Sequence, residues 1–223
     1  CAWSGIICPI LMFAGLWIAG YFPPQSPLMT SAEVSAFYQE NGNQVRFGMI
    51  LVQIAGAFYA AFAAAISAQM RRIEYGPTPV LAYAQLAMGA ATVIFFVVPA
   101  MMWIVASFRP ERLPDVTHAF HDAGWLMFVG IWAVGALENV IIGFLIISDK
   151  NSPPVFPRWV GFLNIWIALL FVPAAIMPFF KSGPFAWNGL LSFWIPANVF
   201  GLWFFVMAYQ IIKAVKRQAA GAP

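Results

Sequence analysis

Six long apolar segments decide what this chain can fold into. A helix that crosses a bilayer needs about 20 predominantly apolar residues, because each residue advances about 1.5 Å through a hydrocarbon layer about 30 Å thick. The segments lack the period-two alternation of lipid-facing strands. The sequence therefore predicts an all-α bundle of six transmembrane helices in a single domain, residues 1–223. The six predicted spans are residues 4–21, 47–70, 79–108, 125–147, 159–180 and 190–212.

Composition excludes the soluble and disordered classes. Of the 223 residues, 62% are hydrophobic and 9% are charged, whereas soluble domains average about 45–50% apolar and about 25% charged residues. A water-soluble fold of this composition would expose more apolar surface than a monomer tolerates. We therefore expect a multi-pass integral membrane protein whose partners include membrane lipids, with bound lipid as the expected companion molecule.

The distribution of basic residues predicts the orientation in the membrane. Cytoplasmic loops carry an excess of Lys and Arg, and the side that holds both chain termini has seven basic residues against four on the other side. Both termini are therefore expected in the cytoplasm. The net charge of +3 follows from this asymmetry and gives no reason to expect nucleic acid. The pattern of spans resembles six-span bacterial membrane proteins, which implies a bacterial plasma membrane. The seven are Arg71, Arg72, Lys150, Arg158, Lys213, Lys216 and Arg217, and the four are Arg46, Arg109, Arg112 and Lys181.

The first outer segment contains a helix start signal. Thr30 and Glu33 have the Thr-x-x-Glu spacing of a capping box, and Val34 shares an apolar face with Tyr38. We expect a short interfacial helix that lies at the membrane surface or covers the mouth of the bundle. The sequence Asn41-Gly42-Asn43 predicts its end.

Small residues recur every fourth position along two of the spans. Such spacing lets helix backbones approach closely, so that dispersion and interhelical hydrogen bonds hold the helices together. We expect both faces to be buried against helices of this chain or of a partner. The faces are Gly56, Ala60, Ala64 and Ala68 in the second span, and Gly135, Asn139 and Gly143 in the fourth.

Prolines and tryptophans concentrate near the ends of the spans. Four prolines in the predicted outer half indicate helices that are bent there, either as ordinary kinks or around a purpose-built cavity. Tryptophans near span boundaries are typical of the membrane interface. The prolines are Pro99, Pro173, Pro178 and Pro196, and the tryptophans are Trp103, Trp125, Trp159 and Trp187.

Glu138 is a formally charged residue near the middle of the fourth span. An ionised acid at the centre of a bilayer costs about 2.5–3.5 kcal/mol on insertion scales. The six spans contain no Lys, Arg or His that could pair with it, so we expect a neutral acid that points into the bundle. It is either a proton-coupling or cation-binding carboxyl, or a neutral acid that fixes helix packing through one hydrogen bond.

Asparagines at membrane depth extend this candidate site. Amide side chains within spans are expected to hydrogen-bond across helices. The predicted intramembrane binding or coupling site comprises Glu138, Asn139, Asn164 and Asn198, with Gln53, Gln85 and Tyr59 as further hydrogen-bonding groups at that depth.

Both histidines of the chain lie between Asp115 and Asp122. On a helix opened by Pro114, Asp115, His118 and Asp122 share one face, and imidazole with carboxylate is a ligand set for Zn²⁺ or Cu²⁺. His121 points about 60° away from that face. The four residues therefore form a candidate metal site. The alternative is that Asp115 caps the helix and that the other side chains are solvated at the outer interface.

Three functions fit these patterns. The sequence favours a non-catalytic membrane subunit or scaffold that packs against other membrane protein subunits in a larger complex. The alternative is a carrier or binding protein for a small apolar or amphiphilic molecule, with Glu138 as its protonatable intramembrane group. The third is a metal-dependent membrane enzyme that uses the His118 region. No phosphate-binding loop, dinucleotide fingerprint or nucleophile elbow occurs in the sequence, so the prediction leans away from an enzyme.

Overall fold

The computed structural model describes residues 1–109 and 111–220, and within these ranges it contains helices and no strand. Five helical stretches are long and apolar enough to cross a membrane, and α1, with 15 residues, is shorter. The predicted all-α membrane bundle is confirmed. The helices are α1 (Ser4–Ile18), α2 (Ser31–Ile73), α3 (Val80–Phe108), α4 (Pro114–Gly130), α5 (Trp132–Ser148), α6 (Arg158–Phe171) and α7 (Ile195–Ala219), with a 3₁₀ helix at Val172–Phe179 and a π-helical turn at Leu190–Trp194.

Three of the predicted spans depart from a regular α-helix. The span 125–147 is divided at Ile131, where α4 ends and α5 begins. The helix α6 continues as the 3₁₀ helix, which contains Pro173 and Pro178. The span 190–212 opens with the π-helical turn, and Pro196 follows directly at the start of α7. By contrast, Pro99 lies inside a continuous α3.

The short interfacial helix is not a separate element, because its residues form the first part of α2. The capping box is confirmed: the Glu33 amide donates to Thr30 Oγ1 at 3.3 Å, and the Thr30 amide donates to Glu33 Oε2 at 2.7 Å. The predicted end at residues 41–43 is wrong. Helix α2 continues through Gly42 without interruption to Ile73.

Helix α2 therefore reaches well beyond the bilayer. Its 43 residues correspond to about 65 Å at the usual rise per residue, which is about twice the thickness of the hydrocarbon layer. Val34 and Tyr38 on its first part are buried. This apolar face packs on the end of the bundle, so of the two predicted placements the cover over the bundle is the observed one.

Both ends of α3 are held by side chains from other segments. The Glu74 carboxylate accepts the amides of Leu81 and Ala82 at 3.0 and 2.9 Å, which satisfies donors that the first turn of a helix leaves free. At the other end, Arg46 donates to the Ser107 carbonyl at 2.9 Å. Arg112 donates to the Val105 carbonyl near the same end of α3 at 3.0 Å. These contacts fix α3, which carries part of the candidate site.

Two glycine pairs bring helix backbones into contact. Gly15 of α1 faces Gly48 of α2, and a Cβ on either would collide with the carbonyl oxygen of the other. Gly143 of α5 faces Gly161 of α6, where a Cβ on Gly143 would lie 2.8 Å from the Gly161 carbonyl oxygen. Close packing through Gly143 agrees with the predicted small-residue face, whereas the Gly15–Gly48 contact was not predicted.

The small-residue face of α2 is buried only in part. Gly56 is buried, and a Cβ there would lie 2.9 Å from the Cβ of Phe96. The other members of the face are exposed on the surface of this chain: Ala60, Ala64 and Ala68.

An aromatic cluster fills the predicted outer end of the bundle. Trp103 and Trp125 are fully buried, with ring centroids 5.1 Å apart, and Tyr21 lies 4.6 Å from Trp103. The interfacial placement predicted for these two tryptophans and for Trp187, which is 6% exposed, is wrong. The long α2 and the start of α4 cover these side chains, which would otherwise contact the membrane interface. Trp159, which is exposed, agrees with the prediction.

We expect Gly48→Ala to destabilise the protein, because the added methyl group meets backbone of α1 and forces the two helices apart. Overpacking of this kind costs about 1–3 kcal/mol. The measurement is the thermal unfolding midpoint of the detergent-solubilised protein. Gly201→Ala is the matched control, since the nearest atom to its Cβ lies 3.5 Å away in Phe13. Equal midpoints for the two variants would contradict the close contact of α1 with α2.

Candidate functional site

The Glu138 carboxyl is fully buried and lies at the meeting point of α2, α3 and α5. The Tyr59 hydroxyl donates to Oε2 at 2.7 Å, and the Gln85 amide donates to Oε1 at 2.9 Å. The Thr92 hydroxyl lies 3.4 Å from Oε2. These four residues form the Glu138 cluster, which supplies the polar partners that the apolar interior does not offer.

The sequence of α3 accounts for this arrangement. Gln85, Gly89 and Thr92 are spaced four and three residues apart, so they share one face of the helix. A Cβ on Gly89 would lie 2.9 Å from Glu138 Oε1. Glycine at this position therefore gives the carboxyl the room to approach α3, while the neighbouring turns supply its hydrogen bonds.

The three asparagines predicted beside Glu138 do not join it. Asn139 donates to the Gly135 carbonyl in its own helix at 2.9 Å. Asn164 accepts the indole N–H of Trp203 at 2.8 Å, and that ring packs near Tyr59, with centroids 6.5 Å apart. Asn198 is exposed. An amide can satisfy itself on its own helix or on a nearby indole, so shared membrane depth does not bring these groups together.

The four residues of the predicted metal site are directed to different partners. His118 Nε2 lies 3.4 Å from Asp122 Oδ1, and its Nδ1 lies 3.1 Å from the Ser31 hydroxyl. His121 is buried with its Nδ1 2.9 Å from the Tyr38 hydroxyl. Asp115 is exposed. Across the described residues no three His, Cys, Asp or Glu side chains are placed to hold a metal ion.

The four residues have different partners because α2 is longer than the sequence predicted. Because α2 continues past the membrane, it lays Tyr38 against His121 and Ser31 against His118. Tyr38 in turn shares a hydrogen bond of 2.7 Å with the hydroxyl of Tyr21. The histidines therefore connect α4 to α2, and the proposed metal chemistry has no support in this geometry.

A cavity of about 90 Å³ lies next to the Glu138 cluster and is partly open to the outside of the bundle. Its lining is almost entirely apolar and includes the ring of Trp132. Among the lining residues that the structure describes, Thr92 and Ser192 carry hydroxyl groups. Six phenylalanines form much of the wall: Phe13, Phe95, Phe128, Phe171, Phe193 and Phe200.

The three departures from regular helix meet at this cavity. Ile131, at the break between α4 and α5, lines it, as does Ala174 of the 3₁₀ helix. Ser192 of the π-helical turn and the adjacent Pro196 complete this side. Non-helical backbone at membrane depth is tolerated where it is buried in protein or lines a cavity, and π-helical turns occur frequently at functional sites.

Thr92 joins the cavity to the buried acid. It lines the cavity and reaches the Glu138 carboxyl at 3.4 Å, while its hydroxyl donates to the Met88 carbonyl at 2.9 Å. Thr92 and Ser192 were not among the predicted site residues. A threonine inside an apolar helix gives no signal by itself, although its place one turn from Gly89 and two turns from Gln85 puts it on the same face.

Comparisons of this chain with protein-family models, with curated proteins and with solved structures each find no match. What the protein does must therefore be inferred from its own geometry.

We expect Glu138→Leu to destabilise the protein strongly. The substitution leaves the Tyr59 hydroxyl and the Gln85 amide buried without a partner, and each such group costs about 1–3 kcal/mol. The thermal unfolding midpoint should fall by at least about 5 °C for a chain of this size. Glu138→Gln should remain near the wild-type value, since an amide can accept from Gln85 and donate to Tyr59.

Asn198→Leu serves as a second control, because its side chain is exposed and bonds only its own helix through the Trp194 carbonyl. A wild-type midpoint for Glu138→Leu would show that the carboxyl contributes nothing to the packing of α2, α3 and α5.

Proposed function

We propose that this protein binds a small apolar or amphiphilic molecule within the membrane, as a carrier or as a binding protein. The single observation that carries the proposal is the convergence of three helix irregularities on one apolar cavity. A bundle built only for packing gains nothing from interrupted helices at membrane depth, because each interruption frees backbone groups that lipid cannot satisfy.

The size and lining of the cavity indicate the scale of the molecule. An engineered apolar cavity of about 150 Å³ takes up benzene, so about 90 Å³ with an open side suits one ring or a short chain. Apolar molecules concentrate in the bilayer. The occupant would therefore reach the open side from the lipid and not from water.

Glu138 has a defined place in this proposal. Its carboxyl does not line the cavity but lies directly behind Thr92, which does. A change in the protonation of Glu138 would alter the acceptor to which the Thr92 hydroxyl donates. The reoriented hydroxyl would then change its interaction with the bound molecule. The acid would thus act as the protonatable group that the sequence suggested, through one intervening hydroxyl.

The location belongs to the same proposal. We place the protein in a bacterial plasma membrane with both termini in the cytoplasm, which is supported by the seven basic residues on the side of the termini against four on the other side.

Gly135→Leu should block the cavity. Gly135 lines it, and a Cβ there meets only the ring of Phe171, at 3.5 Å, so a larger side chain fills the open space. We expect binding of fluorobenzene to weaken at least about tenfold, since about 1.4 kcal/mol of lost contact corresponds to that factor. The measurement is ¹⁹F NMR of fluorobenzene added to protein in detergent micelles.

Gly201→Leu is the matched control. Its Cβ position also has room, with the nearest atom 3.5 Å away, but Gly201 does not line the cavity. Partition of fluorobenzene into the micelle is common to all samples. Identical spectra for wild type, Gly135→Leu and Gly201→Leu would overturn the proposed binding function.

A second candidate function is the membrane subunit or scaffold that the sequence favoured. One observation supports it: Ala60, Ala64 and Ala68 form an exposed face of small residues on α2, where a helix of another chain could approach closely. In this case the protein would act as an accessory subunit and need no bound small molecule.

The subunit proposal predicts the mass of the gently solubilised native particle. We expect a particle well above the 24.6 kDa of one chain, and Ala64→Trp should return it toward the monomer because the bulky ring prevents close approach. Leu137→Trp, at an exposed position on α5, is the control. A monomer in several mild detergents would remove this candidate.

A further inference from the structure

The hydroxyl groups at the cavity have already used their hydrogens. Ser192 Oγ donates to the carbonyl of Phe185 at 2.8 Å. Thr92 Oγ1 has a single hydrogen, and the Met88 carbonyl at 2.9 Å and the Glu138 carboxyl at 3.4 Å compete for it. A hydroxyl that donates its one hydrogen still has oxygen lone pairs that accept. Both side chains can therefore accept a hydrogen bond from an occupant, and neither has a free hydrogen to give.

The backbone at the same place departs from the usual helical hydrogen bonding. Pro196 lines the cavity and has no N–H, so it cannot donate to the Ser192 carbonyl four residues earlier, as an ordinary residue of an α-helix would. The π-helical turn instead bonds across five residues, with the Trp194 amide directed to the Gly189 carbonyl. The helical geometry at this side of the cavity therefore differs from that of a regular α-helix.

The rest of the wall favours a ring. Phe95 and Phe128 stack with ring centroids 4.4 Å apart, and Phe200 meets both Phe95 and Phe171 edge to face, at 6.0 Å in each case. Aromatic rings attract other rings in stacked or edge-to-face arrangements. A planar occupant can continue this pattern, whereas a flexible chain gains no comparable geometry.

We infer that the cavity takes a small aromatic compound that carries a hydroxyl group, a phenol. The ring lies among the phenylalanines, and the ligand hydroxyl donates its hydrogen to the oxygen of Ser192 or of Thr92. This inference rests on the proposed binding function and names the class of molecule that the site prefers. An ether or ketone has no hydrogen to donate to either oxygen.

Trp132, which also lines the cavity, is compatible with the same ligand. Its indole nitrogen is a donor only, so it can serve the lone pairs of a ligand hydroxyl but cannot replace the acceptors. A hydroxyl both donates and accepts, so it can donate to one of the two hydroxyl oxygens of the wall while its own lone pairs remain available to a donor.

The test compares 4-fluorophenol with 4-fluorotoluene, which differ by a hydroxyl in place of a methyl group of similar size. Binding of each is measured by ¹⁹F NMR to full-length protein in micelles, for wild type, Ser192→Ala, Thr92→Val and the double variant. We expect the double variant to weaken 4-fluorophenol about five- to tenfold, the loss of one ordinary hydrogen bond. Binding of 4-fluorotoluene should change by less than about twofold.

Ser148→Ala is the matched control, because its hydroxyl also donates to a carbonyl of its own helix, that of Leu145 at 3.0 Å, and lies away from the cavity. Thermal unfolding midpoints establish that each variant is folded. If the double variant does not fold, the binding comparison is made with either single variant. Unchanged 4-fluorophenol binding, or equal weakening of both compounds, would overturn the hydroxyl preference and leave the binding function standing. If Gly135→Leu abolishes the wild-type binding of neither compound, the proposed binding function is wrong, and this inference is wrong with it.

Discussion

A buried polar group in an apolar bundle must find its hydrogen-bond partner inside the protein, and this constraint is strongest at Glu138. Its carboxyl is fully buried, and it receives hydrogen bonds from Tyr59 of α2 and Gln85 of α3. Three helices are thereby fixed in depth relative to one another, since a slide of any one of them would leave these groups unpaired. Gly89 makes the arrangement possible by leaving room for the acid beside α3.

The same constraint on backbone groups explains where the helices break. The interruption at Ile131, the 3₁₀ helix at Val172–Phe179 and the π-helical turn at Leu190–Trp194 each contribute residues to the wall of one cavity. Lipid would leave such backbone unsatisfied, whereas neighbouring segments provide partners. Thr92 links the cavity to the Glu138 cluster, so the polar centre and the open space are parts of one site.

Sequence patterns predicted local features and failed where distant segments decide the environment. The Thr30–Glu33 capping box was predicted correctly because all its partners lie within four residues. Tyr59 and Gln85 were recognised as hydrogen-bonding groups at the right depth, but not as the partners of Glu138. The metal prediction for His118 and His121 gains no support, because spacing on α4 says nothing about Ser31 and Tyr38, which lie within hydrogen-bond distance of the two rings.

Hydropathy, helix length and the absence of cations within the spans are local properties, and they suffice to predict a bundle of apolar helices with Glu138 hidden inside it. Three features follow from the packing of distant segments: α2 runs unbroken over 43 residues, Trp103 and Trp125 are buried, and the helix breaks line a cavity. Those outcomes depend on which faces meet across distant segments. Close glycine contacts, such as that of Gly15 with Gly48, fix which helix faces pack together. The sequence around a glycine does not show which residue it will contact.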